Sequence, residues 1–197
     1  MTVTPAMVVE YWLGLGPAAW YAVDPEVDAE IAARFGPAWE SAAAGGLRDW
    51  CADAPGTLGY LILTDQFPRN MFRGEARAFA TDARALAAAE AAVAASLDRD
   101  IPEPQRQFFY LPYMHAEDLA AQDRGVALIA ERMPEGGAGN LLHARAHREV
   151  IRRFGRFPYR NAALGRDSTA AEQAFMAEGG YGAVVREMGG EGGAAAP

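Results

Sequence analysis

The stretch Asn140-Leu-Leu-His143-Ala-Arg-Ala-His147-Arg-Glu-Val150-Ile151-Arg-Arg-Phe154 decides the fold class. Its residues His143, His147, Val150, Ile151 and Phe154 recur at steps of three and four, which places them along one side of a helix. Upstream, Gly136-Gly137-Ala138-Gly139 reads as a loop. Before that loop, Met133-Pro134 ends a helix that starts near Ala116 and carries Leu119, Val126 and Ile129. Downstream, Thr169-Ala-Ala-Glu172 has the form of a capping box and opens a last helix.

The same punctuation runs through the N-terminal half. Thr4-Pro5 and Asp24-Pro25 each read as an N-cap followed by a proline in the first turn. They open helices through Met7, Val8, Tyr11 and Trp12, and through Val27, Ile31 and Phe35. Gly36-Pro37 is expected to reset the chain before Trp39. Leu58, Leu61, Ile62 and Asp65 share a face of the next helix, which Phe67-Pro68 is expected to end, because a residue before proline avoids the α region. Thr81-Asp82 caps an alanine-rich helix expected to reach Leu97, and residues 103–111 hold a short one. No β-branched run alternates with polar residues. The chain therefore reads as all-α, with antiparallel helical hairpins joined by short loops. A single domain is expected over residues 1–180, with residues 181–197 as a disordered Gly/Ala-rich tail.

Composition excludes several chemistries. Of 197 residues, 51% are hydrophobic and 22% charged, and all 18 basic residues are arginine. Without lysine there is neither a Walker-type phosphate loop nor Schiff-base catalysis. The single cysteine, Cys51, rules out an intramolecular disulfide and any multi-Cys metal site, and fits a reducing cytoplasm. A net charge of −8 argues against nucleic acid and anionic membranes as partners. No stretch reads as a signal peptide or a membrane span. Gly14-Leu-Gly16-Pro-Ala-Ala19 mimics a dinucleotide fingerprint, but a helix precedes it and no βαβ unit follows. None of Ser41, Ser96 and Ser168 lies in a nucleophile elbow.

One internal echo stands out. Asp65-Gln66-Phe67-Pro68-Arg69-Asn70 recurs, with one inserted residue, as Gly155-Arg156-Phe157-Pro158-Tyr159-Arg160-Asn161, and each copy leads to a paired Gly and Arg: Arg73-Gly74 and Gly165-Arg166. A duplicated helix–turn–helix unit gives such a pattern. Asp65 sits beside the apolar face at a helix C-terminus, the unfavourable pole for a carboxylate, and so needs an arginine partner. The remaining polar residues of the two copies, Arg69, Asn70 and Arg73 with Arg156, Arg160, Asn161 and Arg166, and Arg152 just ahead of the second copy, are candidates for a locally cationic pocket that takes a small anion or an acidic peptide. The same arginines would equally serve as a salt-bridge network between helices.

These residues carry a family resemblance. Trp12-Leu13-Gly14, the run Asp65 to Gly74 continuing through Ala78-Phe79-Ala80-Thr81-Asp82, Phe109-Tyr110-Leu111-Pro112 with Met114-His115-Ala116-Glu117-Asp118-Leu119 and Gln122, and Arg153 to Pro158 with Arg160-Asn161 and Leu164-Gly165-Arg166 resemble the bacterial domain-of-unknown-function family 924. The resemblance runs from about Tyr11 to Phe175. It implies a helical fold similar to tetratricopeptide-type repeats and brings no assigned reaction. It also adds Gln122 to the candidate ligand contacts. Leu13, Ala116 and Tyr159 stand where the family commonly has an aromatic, a serine and a histidine.

Three histidines are present: His115, His143 and His147. Positions 144 to 146 are Ala-Arg-Ala, so the metalloprotease pattern is absent, and neither a metal nor a cofactor is expected. His115 and His147 are the acid–base candidates, with Asp65 or Asp118 to orient them. Tyr110 and Tyr113, which flank Pro112, are expected at a pocket rim. The leading reading is a helical module binding a small anionic ligand or an acidic peptide. The alternatives are an enzyme acting on an anionic small molecule through histidine acid–base chemistry, and a scaffold whose arginines are all held by carboxylates.

Overall fold

The structure, a computed structural model, describes residues 2–189 and is all-helical, with no strand among the described residues. The chain packs as two compact units, one up to Pro112 and one from Tyr113 onward. The first unit contains helices α1 (Pro5–Leu15), α2 (Pro25–Ala43), α3 (Ala54–Leu61), α4 (Phe67–Met71) and α5 (Asp82–Ala94). The short α6 (Leu111–His115) straddles the division. The second unit continues with α7 (Leu119–Arg132), α8 (Ala138–Phe154), α9 (Ala170–Ala177) and α10 (Gly180–Glu187).

Sequence signals set most of the starts. Thr4 and Asp24 cap α1 and α2 through their side chains, with Pro5 and Pro25 in the first turns. Asp118 caps α7, and the Thr169–Glu172 capping box of α9 is complete in both directions. In the first unit the core is aromatic. Phe67 packs against Trp12, Phe35 and Tyr11, and Phe108 lies edge-on to Trp20. At Gly59, α3 passes so close to α1 that a Cβ would stand 2.8 Å from the Cα of Pro5.

Two prolines behave differently from expectation. Pro37 lies inside α2 and does not reset the chain. The carbonyl that its missing N–H leaves unserved is that of Ala33 on the exposed face, open to solvent, while Phe35, Ala38 and Trp39 stay buried on the other side. Pro68 likewise fails to end its helix. A π-helical turn over Ile62–Gln66 joins α3 to α4, and the Phe67 N–H reaches back to the Ile62 carbonyl. Pro68 has no N–H to offer the Thr64 carbonyl, and the Thr81 hydroxyl donates there instead at 2.5 Å. Thr81 also accepts from Trp39 Nε1 at 3.2 Å. It stands at the N-cap position of α5 without capping it, because its side chain is spent on this buried network.

Other boundaries move by a few residues. Helix α5 stops at Ala94, where Ser96 takes a left-handed conformation and a 3-10 turn follows over Leu97–Asp100. Residues 103–111 form a 3-10 turn, Gln105–Phe109, ahead of α6. The tail expected from residue 181 begins instead as α10, which buries Tyr181, Val184 and Val185 against Val150, Ile151 and Phe157. Their spacing of three and four residues is an apolar helical face that the glycines around it obscure. The last part of the expected tail, residues 190–197, lies outside the described residues.

Helices α7 and α8 form the hairpin at the heart of the second unit, joined by the loop after Met133. Gly125 lets α7 approach α6, since a Cβ there would meet the Tyr113 Cβ at 2.9 Å. Replacing Thr81 by valine keeps the shape and strands two buried groups, the Thr64 carbonyl and Trp39 Nε1. Each should cost about 1–3 kcal/mol. Tryptophan fluorescence during urea unfolding reads the first unit alone, because all four tryptophans precede residue 112. Thr81→Val should lower the midpoint clearly, and Thr81→Ser should restore most of it.

Candidate functional site

The first Phe-Pro copy is a closed carboxylate–arginine system. Arg69 lies 3.4 Å from Asp65 Oδ1, donates to the Asp65 backbone carbonyl, and forks onto Asp82 at 3.1 Å through both terminal nitrogens. Asp65 thus has the arginine partner its position demands, one helical turn away. Asn70 Nδ2 donates to Asp28 at 2.8 Å, and Arg73 grips the same carboxylate through Nε and Nη2. Tyr110 is fully buried and its hydroxyl donates to Asp98 at 2.6 Å. It therefore does not line a rim, and neither does Tyr113, which is also buried. Cys51 is half-buried, and desolvation pushes its thiol up to about 11, which keeps it protonated at neutral pH.

The second copy behaves as the stop its sequence announces. Helix α8 ends at Gly155 in the left-handed region, Phe157 is extended, and Pro158 begins a 3-10 turn. The two copies are therefore alike in sequence and different in backbone, since Phe67 is helical. Gly155, which stands where the first copy has Asp65, supplies the change of direction. Glu117 then pins the turn: it accepts from the Phe157 N–H at 2.8 Å and from Arg166 through two guanidinium nitrogens at 2.6 and 2.9 Å. These hydrogen bonds hold its carboxyl below the ordinary range despite partial burial. Arg156 forks onto Glu172 at 2.6 and 2.8 Å, and Arg156 together with the Thr169 backbone holds that carboxyl at about 2. Asn161 donates to Ser168 and accepts from Arg166 Nε.

Inside this frame the histidines gather. His115 closes α6 and His147 lies midway along α8, with ring centroids 6.2 Å apart and edge-on. Both are only 2% exposed. His147 also meets Tyr181 at 4.6 Å and Phe157 at 5.5 Å. Its Nδ1 lies 2.9 Å from the His143 backbone carbonyl. A carbonyl only accepts, so Nδ1 carries the proton and Nε2 presents a bare lone pair. A backbone group, and not Asp65 or Asp118, thus fixes the tautomer. Nε2 is buried and finds no hydrogen-bond partner among the described residues. Burial, helped by the charges of His115 and Arg160, holds the ring's pKa well below the ordinary 6.5.

Gln122, 1% exposed, repeats the theme. Its amide nitrogen donates to the carbonyls of Met114 and Ala116, at 2.6 and 2.8 Å, on either side of His115. Two carbonyl partners fix which end of the amide is nitrogen, so Oε1 faces the other way, buried and with no partner among the described residues. Arg160, 4% exposed, lays its guanidinium 4.5 Å over the Phe157 ring, and its charge acts on both His147 and Glu117. His143 is turned to Tyr181, with Nδ1 2.6 Å from the hydroxyl. Among the described residues no three of His, Cys, Asp and Glu are grouped to hold a metal ion.

The structure thus brings together His115, His147, Gln122 and Arg160, and places Arg156, Asn161 and Arg166 in the frame around them. Asp65, Arg69, Asn70, Arg73 and Tyr110 belong to the first unit. Sequence reasoning missed Tyr181 beside His147, whose signal was the apolar spacing of α10. It also missed Glu117 as the holder of Arg166, a partner 49 residues away that no local pattern marks.

The profile of a family described as bacterial proteins of unknown function, DUF924, matches residues 8–180 of this chain. A solved structure of a protein of unknown function from Agrobacterium tumefaciens is similar at 40% identity and a TM-score of 0.83, covering 89% of this chain and 97% of that one. No curated protein matches.

As pH falls through 6.5 the unfolded chain protonates His147, whereas the folded protein keeps it neutral until the pH is far lower. Its contribution to stability is therefore full above 6.5 and declines below it. Imidazole NMR should find His147 in the neutral Nδ1–H form at pH 5.5. The urea midpoint of the second unit should fall between pH 7.5 and 5.5, and His147→Gln should flatten that fall.

Proposed function

The chain belongs to the DUF924 family of bacterial proteins of unknown function, a membership that assigns no reaction, and we propose that it is a helical binding module for a small anionic ligand, centred on His147 in the second unit. The observation that carries this reading is the pair of buried acceptors, His147 Nε2 and Gln122 Oε1, that find no donor among the described residues. Folding normally pairs such atoms, because each one left bare in a dry interior costs about 1–3 kcal/mol. A bare acceptor on a buried imidazole that feels the charge of Arg160 points to a ligand. Arg160 takes the anion: a guanidinium has five donors and serves a ligand alongside its contacts within the protein.

The other candidate arginines take a different role. Arg69 and Arg73 in the first unit, and Arg156 and Arg166 in the second, already hold carboxylates in forked geometry. This supports reading them, with Asp65, Asn70 and Asn161, as clamps that set the turns, and it weighs against an acidic peptide lying along the turn arginines. The hairpin of α7 and α8 is compatible with a tetratricopeptide-like arrangement, which belongs to the same proposal. So does residence in the cytoplasm, which rests on the single Cys51. Among the described residues no helix is long and apolar enough to cross a membrane.

A second reading has one observation in its favour. A neutral imidazole with a fixed tautomer and a bare Nε2 beside a cation meets the requirement for a general base acting on a bound anion. Binding is prior to either role. In a thermal-shift series with inorganic phosphate and small carboxylates, a ligand at a hundred times its Kd adds about 2.7 kcal/mol. The shift should disappear in Arg160→Gln and persist in Arg73→Ala. A shift that survives Arg160→Gln, or none from any anion, would sink the proposal.

A further inference from the structure

Resting on the site proposed above, we infer that the ligand is a hydroxylated anion: a small carboxylate or phosphate bearing at least one hydroxyl, which donates to His147 Nε2. The site holds two bare acceptors, His147 Nε2 and Gln122 Oε1, and each calls for a donor. His147 cannot reverse its role, because its one ring proton is committed at Nδ1 to the His143 carbonyl. Gln122 cannot turn its amide over without facing an oxygen to the carbonyls of Met114 and Ala116. A simple anion such as succinate, or the phosphate dianion, brings only acceptors. Its charge suits Arg160 and leaves His147 Nε2 and Gln122 Oε1 as bare as before. It also sets negative oxygens near two lone pairs in a dry site. A hydroxyl supplies the missing donor, and a second hydroxyl would serve Gln122 Oε1.

Selectivity follows from the burial. In an exposed site water would replace the lost hydroxyl at little cost. Here both acceptors are at most 2% exposed, so an analogue without the hydroxyl leaves a dry acceptor unpaired. Sites built around a ligand hydroxyl discriminate most strongly against the analogue that lacks it. His147 is the positioning group, and its neutral form is essential: a protonated ring would present a donor where the ligand also presents one. The hydroxyl of Tyr181 does not substitute for the ligand, since it is engaged by His143 Nδ1 at 2.6 Å.

Two matched pairs test the inference by calorimetry on the full chain at pH 7.5: malate against succinate, and glycerol 3-phosphate against propyl phosphate. The hydroxylated member of at least one pair should bind about tenfold or more tightly, a difference of about 1.4 kcal/mol, and the favoured pair tells carboxylate from phosphate. On wild-type protein, the 15N resonance of His147 Nε2 should move upfield with that ligand and stay in place with its partner. In His147→Phe, with the fold checked by circular dichroism, the discrimination should collapse. Equal affinity within both pairs would overturn the hydroxyl requirement while the anion site stands. Failure of all four to bind would remove the site itself, and with it this inference.

Discussion

The carboxylate of Glu117 is the joint on which the second unit turns. It sits just after α6 and accepts at once from the Phe157 N–H and from Arg166, so it ties the start of α7 to the turn that follows α8. Helices α7 and α8 would pack as a hairpin from their apolar faces alone. That packing does not say where the chain beyond Gly155 goes. Glu117 does, because it fixes the first residue after the turn, and Phe157 then carries Arg160 over its ring and meets His147 at its edge. A single carboxylate with its charge-assisted hydrogen bonds thus converts a generic hairpin into one with a defined polar interior.

The paired Phe-Pro copies show how far a local motif determines structure. In the first, the π-helical turn absorbs the missing proline N–H, and the chain stays helical because Thr81 and Arg69 supply donors to the carbonyls of Thr64 and Asp65. In the second, no such donors are needed, since Gly155 has already turned the chain out of the helix. The rule that a residue before proline leaves the α region describes the second copy and fails for the first. What decides between them is a threonine thirteen residues beyond Pro68 and a glycine in the place of Asp65, and the first of these is invisible to any local reading.

Legibility follows the same division. The helical class, the caps at Thr4, Asp24 and Thr169 and the amphipathic face of α8 all rest on near neighbours in sequence, and all could be read directly. The partners of buried polar groups could not. Asp65 announced that it needed an arginine, and Arg69 lay within one turn. His147 announced nothing comparable, and the group that fixes its tautomer is a backbone carbonyl, which has no side-chain signature. Tyr110 looked like a rim residue because it lies beside a proline and near a histidine. Its hydroxyl is instead consumed by Asp98, and that contact depends on how the 3-10 turns fold back.

An absence of lysine sharpens the division of labour among cations. Arginine stays charged at any working pH, so each buried guanidinium must be matched by acceptors, and most of those at the two turns are matched by carboxylates. Only imidazole remains to give a basic nitrogen that is neutral when buried. In His147 the burial that excludes water and the nearby positive charge act in the same direction, against protonation. An anion seated at Arg160 would offset part of that charge and so raise the basicity of Nε2 at the moment a donor hydroxyl arrives beside it. Charge recognition and hydroxyl recognition would then reinforce each other, although the two groups that perform them share no hydrogen bond.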